Sequence, residues 1–258
     1  MKENRKKSTN KNNKFIVYLL VFVLVVGAFF YFIFRKPSTT PGIQYIQNLE
    51  SKKIDDVAKK VHRKRVDELM DAIEDEKIDT YSMFDDFVFY GDSRTLGWQT
   101  YGYLPAARIF AGSGHTILNI TEWNETLKEL KPSTIYFSYG VNDMGLGLDN
   151  REGGYGKLYE DQVKEVEKIC PDADLFLISI VPASKEAVAN NPSWQYYKEY
   201  NEQIESICKK NGWNYIDCTP LANGGSAEIY QQDGIHYSAL FYNDWAKAII
   251  KATQEVQA

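Results

Sequence analysis

Three short pieces carry side chains that can do acyl chemistry together: Gly91-Asp92-Ser93, Gly140-Val141-Asn142-Asp143 and Asp233-Gly234-Ile235-His236. A serine hydroxyl is a weak nucleophile at neutral pH and needs a base beside it, itself held by a third group. The chain has three histidines. His62 lies in a charged helical stretch and His115 follows the second of the strands read below, which leaves His236 as the candidate base. Asp233 lies three residues earlier, within reach of the second imidazole nitrogen through a turn at Gly234. The set then runs Ser, Asp, His along the chain, with roles defined by geometry rather than order. Attack on a carbonyl also builds charge on oxygen, which calls for preorganised donors. The backbone N–H of Ser93 or its neighbour, the N–H of Gly114 and the side-chain amide of Asn142 are the natural candidates.

An alternating scaffold is expected to position these residues. Strands are read at Phe87–Tyr90, Arg108–Ala111, Thr134–Tyr139, Leu175–Val181 and Trp213–Ile216, as short apolar runs suited to a sheet buried on both faces. Helical patterns fall between them at 116–130, 155–169 and 194–210, with a closing helix at 239–255. Such alternation predicts a doubly wound α/β layer fold. Ligands in open α/β sheets bind outside the carboxyl ends of the strands, so Ser93, Gly114 and Asn142 are expected on one rim.

The chain looks like an SGNH hydrolase of the GDSL-type esterase and lipase superfamily. Phe89-Tyr90-Gly91-Asp92-Ser93 resembles the first family block, Gly112-Ser113-Gly114-His115-Thr116 the glycine block, Gly140 to Asp143 the G-x-N-D block and Asp233 to His236 the D-x-x-H block. The likeness covers about residues 85–255. It implies a three-layer α/β/α, flavodoxin-like fold with a central five-stranded parallel sheet. It also implies Ser93 as nucleophile, Gly114 and Asn142 as oxyanion donors, and neither metal nor cofactor. Two departures stand out. Arg94 replaces the usual leucine and is read as a candidate substrate contact or, better, as the partner of a carboxylate such as Asp143, itself a second candidate contact. His115 stands where an aspartate or other polar residue is common.

The rest of the chain bears on location. Phe15 to Phe34 is about 20 apolar residues without a charge, the length of a bilayer's hydrocarbon core. Bulky Phe29, Phe30, Tyr31, Phe32 and Phe34 stand where a cleavage site would fall, which favours an uncleaved anchor. Residues 1–36 hold eight of the 30 Lys and Arg and one of the 35 acids. Six of those bases against Glu3 alone fall at 1–14, so this basic tail is expected in the cytoplasm, with a single span at 15–34 and the catalytic domain outside the cell. The remainder carries 22 bases against 34 acids, net −12, which argues against nucleic acid as a partner. Residues 35–81 are read as a linker, Arg35 to Gly42, and a helical stalk or a helix packed on the domain, from the recurrence of apolar residues at Ile54, Val57, Val61, Leu69 and Ile73. Residues 82–258 form the hydrolase domain. Cys170, Cys208 and Cys218 are read as buried thiols, although a Cys208–Cys218 bridge is conceivable.

Family, location and a run of aromatics at Trp98, Tyr101, Tyr103, Trp194, Tyr196, Tyr197 and Tyr200 lead to one expectation: removal of O-acetyl groups from an acylated cell-envelope carbohydrate, or hydrolysis of another small ester. The rivals are an O-acyltransferase, a lipase or thioesterase with the same residues, and a noncatalytic membrane-tethered binding module.

Overall fold

The computed structural model describes residues 4–34, 41–222 and 229–256. The chain divides into two compact units, residues 1–59 and 60–258.

In the first unit, helix α1 (Asn4–Phe34) contains one stretch, Lys14–Phe34, long and apolar enough to cross a membrane, with mean hydropathy 2.9. None of that stretch is buried. Helix α2 (Pro41–Glu74) begins here. Pro41 and Gly42, expected in the linker, instead open this helix; a first-turn residue has no intrahelical acceptor for its N–H, so proline costs nothing there. Residues 35–40 of the expected linker lie outside the described residues.

In the second unit the end of α2 packs inward through Val66, Leu69, Met70 and Ile73, an i, i+3, i+4, i+7 stripe. Earlier in the same apolar recurrence, Ile54, Val57 and Val61 are exposed. Five strands follow: β1 (Phe87–Gly91), β2 (Ile109–Ala111), β3 (Thr134–Ser138), β4 (Asp174–Ile178) and β5 (Asn214–Ile216). They form one parallel sheet in the order β2-β1-β3-β4-β5. Alternate side chains go to opposite faces. Phe87, Phe89, Tyr136 and Phe176 meet α2, α3 (Ser93–Thr100) and α9 (Phe241–Val256) on one side. Val88, Tyr90, Phe137 and Leu177 meet α4 (Asn124–Leu130), α6 (Gly154–Ile169) and α8 (Tyr197–Asn211) on the other. Both faces are covered, so the strand centres are apolar, with polar residues only at strand ends such as Thr134, Ser138, Asp174 and Asn214, and the fold has three layers.

The sheet builds outward in both directions from β1 and β3, whose carboxyl ends are paired as Gly91↔Ser138. This is the topological switch point, where a crevice opens. Several of the aromatics near the site were expected to be core, and two are: Trp98 is fully buried and stacks on Trp245 at 4.9 Å, and Tyr200 packs against Tyr155 at 4.4 Å. Cys170, Cys208 and Cys218 are free thiols in the interior.

Candidate active site

Ser93 is the first residue of α3, immediately beyond β1. Gly91 makes this turn possible: a Cβ there would fall 1.9 Å from Thr95 Oγ1 and 2.7 Å from the Ser138 carbonyl oxygen. Asp92 is 2% exposed, and its Oδ1 accepts the Arg94 N–H at 2.8 Å, capping the helix. Burial raises the Asp92 pKa, opposed by the Arg94 charge and that hydrogen bond.

The turn carrying His236 meets Ser93 across 143 residues of sequence. His236 Nε2 lies 2.9 Å from Ser93 Oγ, and His236 Nδ1 lies 2.5 Å from Asp233 Oδ2. Asp233 also accepts the backbone N–H groups of Ile235 and His236, at 2.8 and 2.9 Å. Partial burial raises its pKa, but hydrogen bonds from the His236 side chain and these two amides outweigh it and leave a net lowering. A carboxylate so held favours its ionised form, and it faces His236 Nδ1 while Nε2 faces Ser93. Gly234 adopts φ +70°, which closes the turn.

Asn142 lies in α5 (Val141–Gly145), just past β3, and its Nδ2 donates to the His115 carbonyl at 2.9 Å. The next residue grips the same segment: Asp143 Oδ1 accepts the Ile117 N–H at 3.0 Å. Together they fasten the glycine block to the end of β3. Gly114 in that block is exposed at φ +76°, whereas a Cβ on Gly112 would meet the His115 ring at 2.4 Å. Among the described residues no group of three or more His, Cys, Asp or Glu is arranged to hold a metal.

Two candidate substrate contacts are placed elsewhere. Arg94 is 4% exposed; among the described residues its guanidinium bonds no carboxylate directly, though its charge acts on the buried Asp92. Its Nε donates to the Ile235 carbonyl at 2.9 Å, and its Nη1 to the Val181 carbonyl at 2.6 Å and the Tyr237 hydroxyl at 3.1 Å. Asp143 is fully buried, so it too faces no substrate; desolvation pushes its pKa up to about 7 against the Ile117 hydrogen bond. Trp194, one of the aromatics named in the sequence, donates its Nε1–H to the Val141 carbonyl at 3.0 Å beside Asn142, and the Ser184 N–H, which the sequence did not single out, holds the Gly234 carbonyl at 2.8 Å. Neither partnership has a signature in local spacing.

Residues 89–243 match the model of the GDSL-like lipase/acylhydrolase family. No protein with a curated description matches the chain. Among solved structures, a GDSL-like lipase from Bacteroides thetaiotaomicron is similar at 19% identity and TM-score 0.51, covering 73% of this chain and 98% of its own. A lipase/acylhydrolase from Enterococcus faecalis has 16% identity and TM-score 0.50, covering 66% of this chain and 96% of its own. At such identities these structures speak for the fold, while the family match spans most of the chain. The chain therefore belongs to the GDSL-like lipase/acylhydrolase family and is an ester-bond hydrolase.

Proposed function

We propose that this protein is a membrane-anchored serine esterase that acts outside the cell and removes O-acetyl groups from an acylated cell-envelope carbohydrate. The observation that carries the reading is the hydrogen-bonded series Ser93 Oγ, His236 Nε2, His236 Nδ1, Asp233 Oδ2, at 2.9 and 2.5 Å. In this reading neutral His236 takes the Ser93 proton as Oγ attacks the acyl carbon. Charge on the carbonyl oxygen is met by the Ser93 N–H, the Gly114 N–H and the second amide hydrogen of Asn142. Collapse of the intermediate expels the alcohol, which takes its proton from His236, and leaves an acyl-enzyme. Water, deprotonated by the same imidazole, attacks that ester and restores Ser93. Ser93 also lies at the amino end of α3, where the helix dipole favours developing negative charge.

The domain reading that accompanies this is a basic tail at 1–14, a span at 15–34, a linker and stalk through 81, and the esterase from 82. The cationic 1–14 tail supports a cytoplasmic amino terminus, and the acidic remainder suits a domain that meets neutral or acylated glycans.

A longer-chain ester is the second reading, favoured by Leu118, Leu146, Tyr196 and Leu240, large exposed apolar side chains in connections that follow β2, β3, β4 and β5. One experiment tests both. The full chain in detergent is assayed on p-nitrophenyl acetate and on acetylated wall polymer, against p-nitrophenyl esters of increasing length. Acetate release that disappears with Ser93→Ala is expected. Activity surviving Ser93→Ala removes the serine mechanism, and a rate that climbs with chain length moves the substrate from glycan to lipid.

A further inference from the structure

We propose that Arg94 is a positioning residue that ties the nucleophile's turn to the turn carrying His236 and sets the distance the serine proton crosses. The inference rests on the serine mechanism above and adds a group to it.

Three connections converge on this one guanidinium. Through the backbone, Arg94 is bonded to Ser93 itself, and its N–H and C=O are fixed by Asp92 Oδ1 at 2.8 Å and by the Tyr242 hydroxyl at 2.6 Å. Through Nε it holds the carbonyl of Ile235, the residue bonded to His236, at 2.9 Å. Through Nη1 it holds the Val181 carbonyl at 2.6 Å, in the segment leading from β4 to Ser184, whose N–H binds the Gly234 carbonyl. The guanidinium carbon lies 4.6 Å from the centre of the Tyr237 ring, which packs against it from the other side of His236. Residues on both flanks of the base are thus referenced to the residue next to the nucleophile. A planar fork with donors in fixed directions is suited to this, and an ammonium on a flexible stem is not. Arg94 is 96% buried by its 4% exposure, so it acts on the reaction through these turns rather than by touching the ester.

The test uses the full chain in detergent with Arg94→Met, which keeps an unbranched stem and removes every donor, and Arg94→Lys, which keeps the charge and loses the fork. Each variant is measured for kcat and KM on p-nitrophenyl acetate, and for the rate at which a fluorophosphonate probe labels Ser93. Displacing a reacting group by a fraction of an ångström to about 1 Å costs up to roughly 10²-fold. Arg94→Met is therefore expected to lower kcat and the labelling rate roughly 10- to 100-fold, with KM within about twofold of the parent. Arg94→Lys is expected to fall between the two. Labelling of Arg94→Met at the parental rate overturns the proposal, as does a loss confined to KM, which would make Arg94 a substrate contact. Should Arg94→Met not fold, Arg94→Lys decides: parental kcat and labelling rate overturn the proposal, and a drop in both at constant KM supports it. A parent protein that the probe does not label overturns the serine mechanism and this inference with it, and is recognised before any substitution at Arg94.

Discussion

The proposed nucleophile and its proposed base are held in opposite ways. Ser93 follows a strand paired on both sides, and its neighbours Asp92, Arg94 and Thr95 are 2, 4 and 0% exposed. Asp233 and His236 have side chains 42 and 40% exposed, on a segment outside the sheet. That segment is fixed by a few directed bonds: Ser184 N–H to the Gly234 carbonyl, Gln231 N–H to the His236 carbonyl, Arg94 Nε to the Ile235 carbonyl and Tyr101 hydroxyl to the Tyr237 carbonyl. The difference teaches that damage to the first region falls on the fold, whereas damage to the second falls on a distance. Burial enforces one geometry; single hydrogen bonds, each contributing about 1 kcal/mol net, enforce the other.

The largest effect tests whether the two regions act as one device. Ser93→Ala and His236→Ala are each expected to lower kcat by on the order of 10⁴-fold or more, and the double variant by no more than the worse single. Steady-state rates on p-nitrophenyl acetate decide it. Multiplying losses would mean that the two side chains work independently and that their 2.9 Å contact is incidental to the rate.

Asn142 belongs to the sheet-supported side by position and to the directed-bond side by its hold on the His115 carbonyl. Asn142→Ala is expected to cost about 10²- to 10³-fold in kcat as a lost oxyanion donor, with little change in thermal stability. Parental kcat would leave Gly114 and Ser93 as the whole oxyanion site.

Two glycines sharpen the contrast further. Gly91→Ala drives a Cβ into backbone and a buried threonine and is expected to destroy the folded protein, seen as loss of the cooperative melt. Gly234→Ala meets the Ser184 side chain at 2.1 Å and strains φ +70°; Gly234 is itself buried, but its turn lies outside the sheet. It is expected to keep the fold with a cost of about 1–2 kcal/mol, while kcat drops by roughly tenfold through displacement of His236. The reverse ranking would break the comparison.

The sequence was most legible where burial acts on contiguous residues. The five strands were readable because a sheet covered on both faces needs unbroken apolar runs, and their limits moved by a few residues at most. The run at 175–181 was read three residues too far, since pairing with β5 ends at Ile178↔Ile216 and the chain then turns towards Ser184. The short helices α3, α5 and α7 (Lys185–Asn190) have no repeat long enough to register as a period. For the site, the type and order of Ser93, Asn142, Asp233 and His236 could be read from motifs, but the partners of Arg94 and Asp143 could not. A charged residue beside a motif looks like a surface contact until Ile235, 141 positions away, or Ile117, 26 positions away, is brought to it.

Asp143 gives the smallest expected effect on rate and a distinct one on stability. Its carboxyl is desolvated on the sheet-supported side and has a folded-state pKa of about 7, against an ordinary 3.8. The folded protein therefore keeps a proton there that the unfolded chain has released, so between about pH 4 and 7 stability falls as pH rises. This contribution is fully present below the unfolded value and gone above about 7, with a span of at most about 4 kcal/mol. Asp143→Asn keeps an oxygen to accept the Ile117 N–H and has no charge to bury. Its melting temperature relative to the parent is expected to rise steadily from pH 4 to pH 8, with kcat at pH 8 changed less than about threefold. A difference independent of pH would mean that Asp143 is ionised in the fold throughout. A large drop in kcat would mean that the grip on Ile117 depends on the charge, which would move Asp143 from the region governed by burial to the one governed by directed bonds.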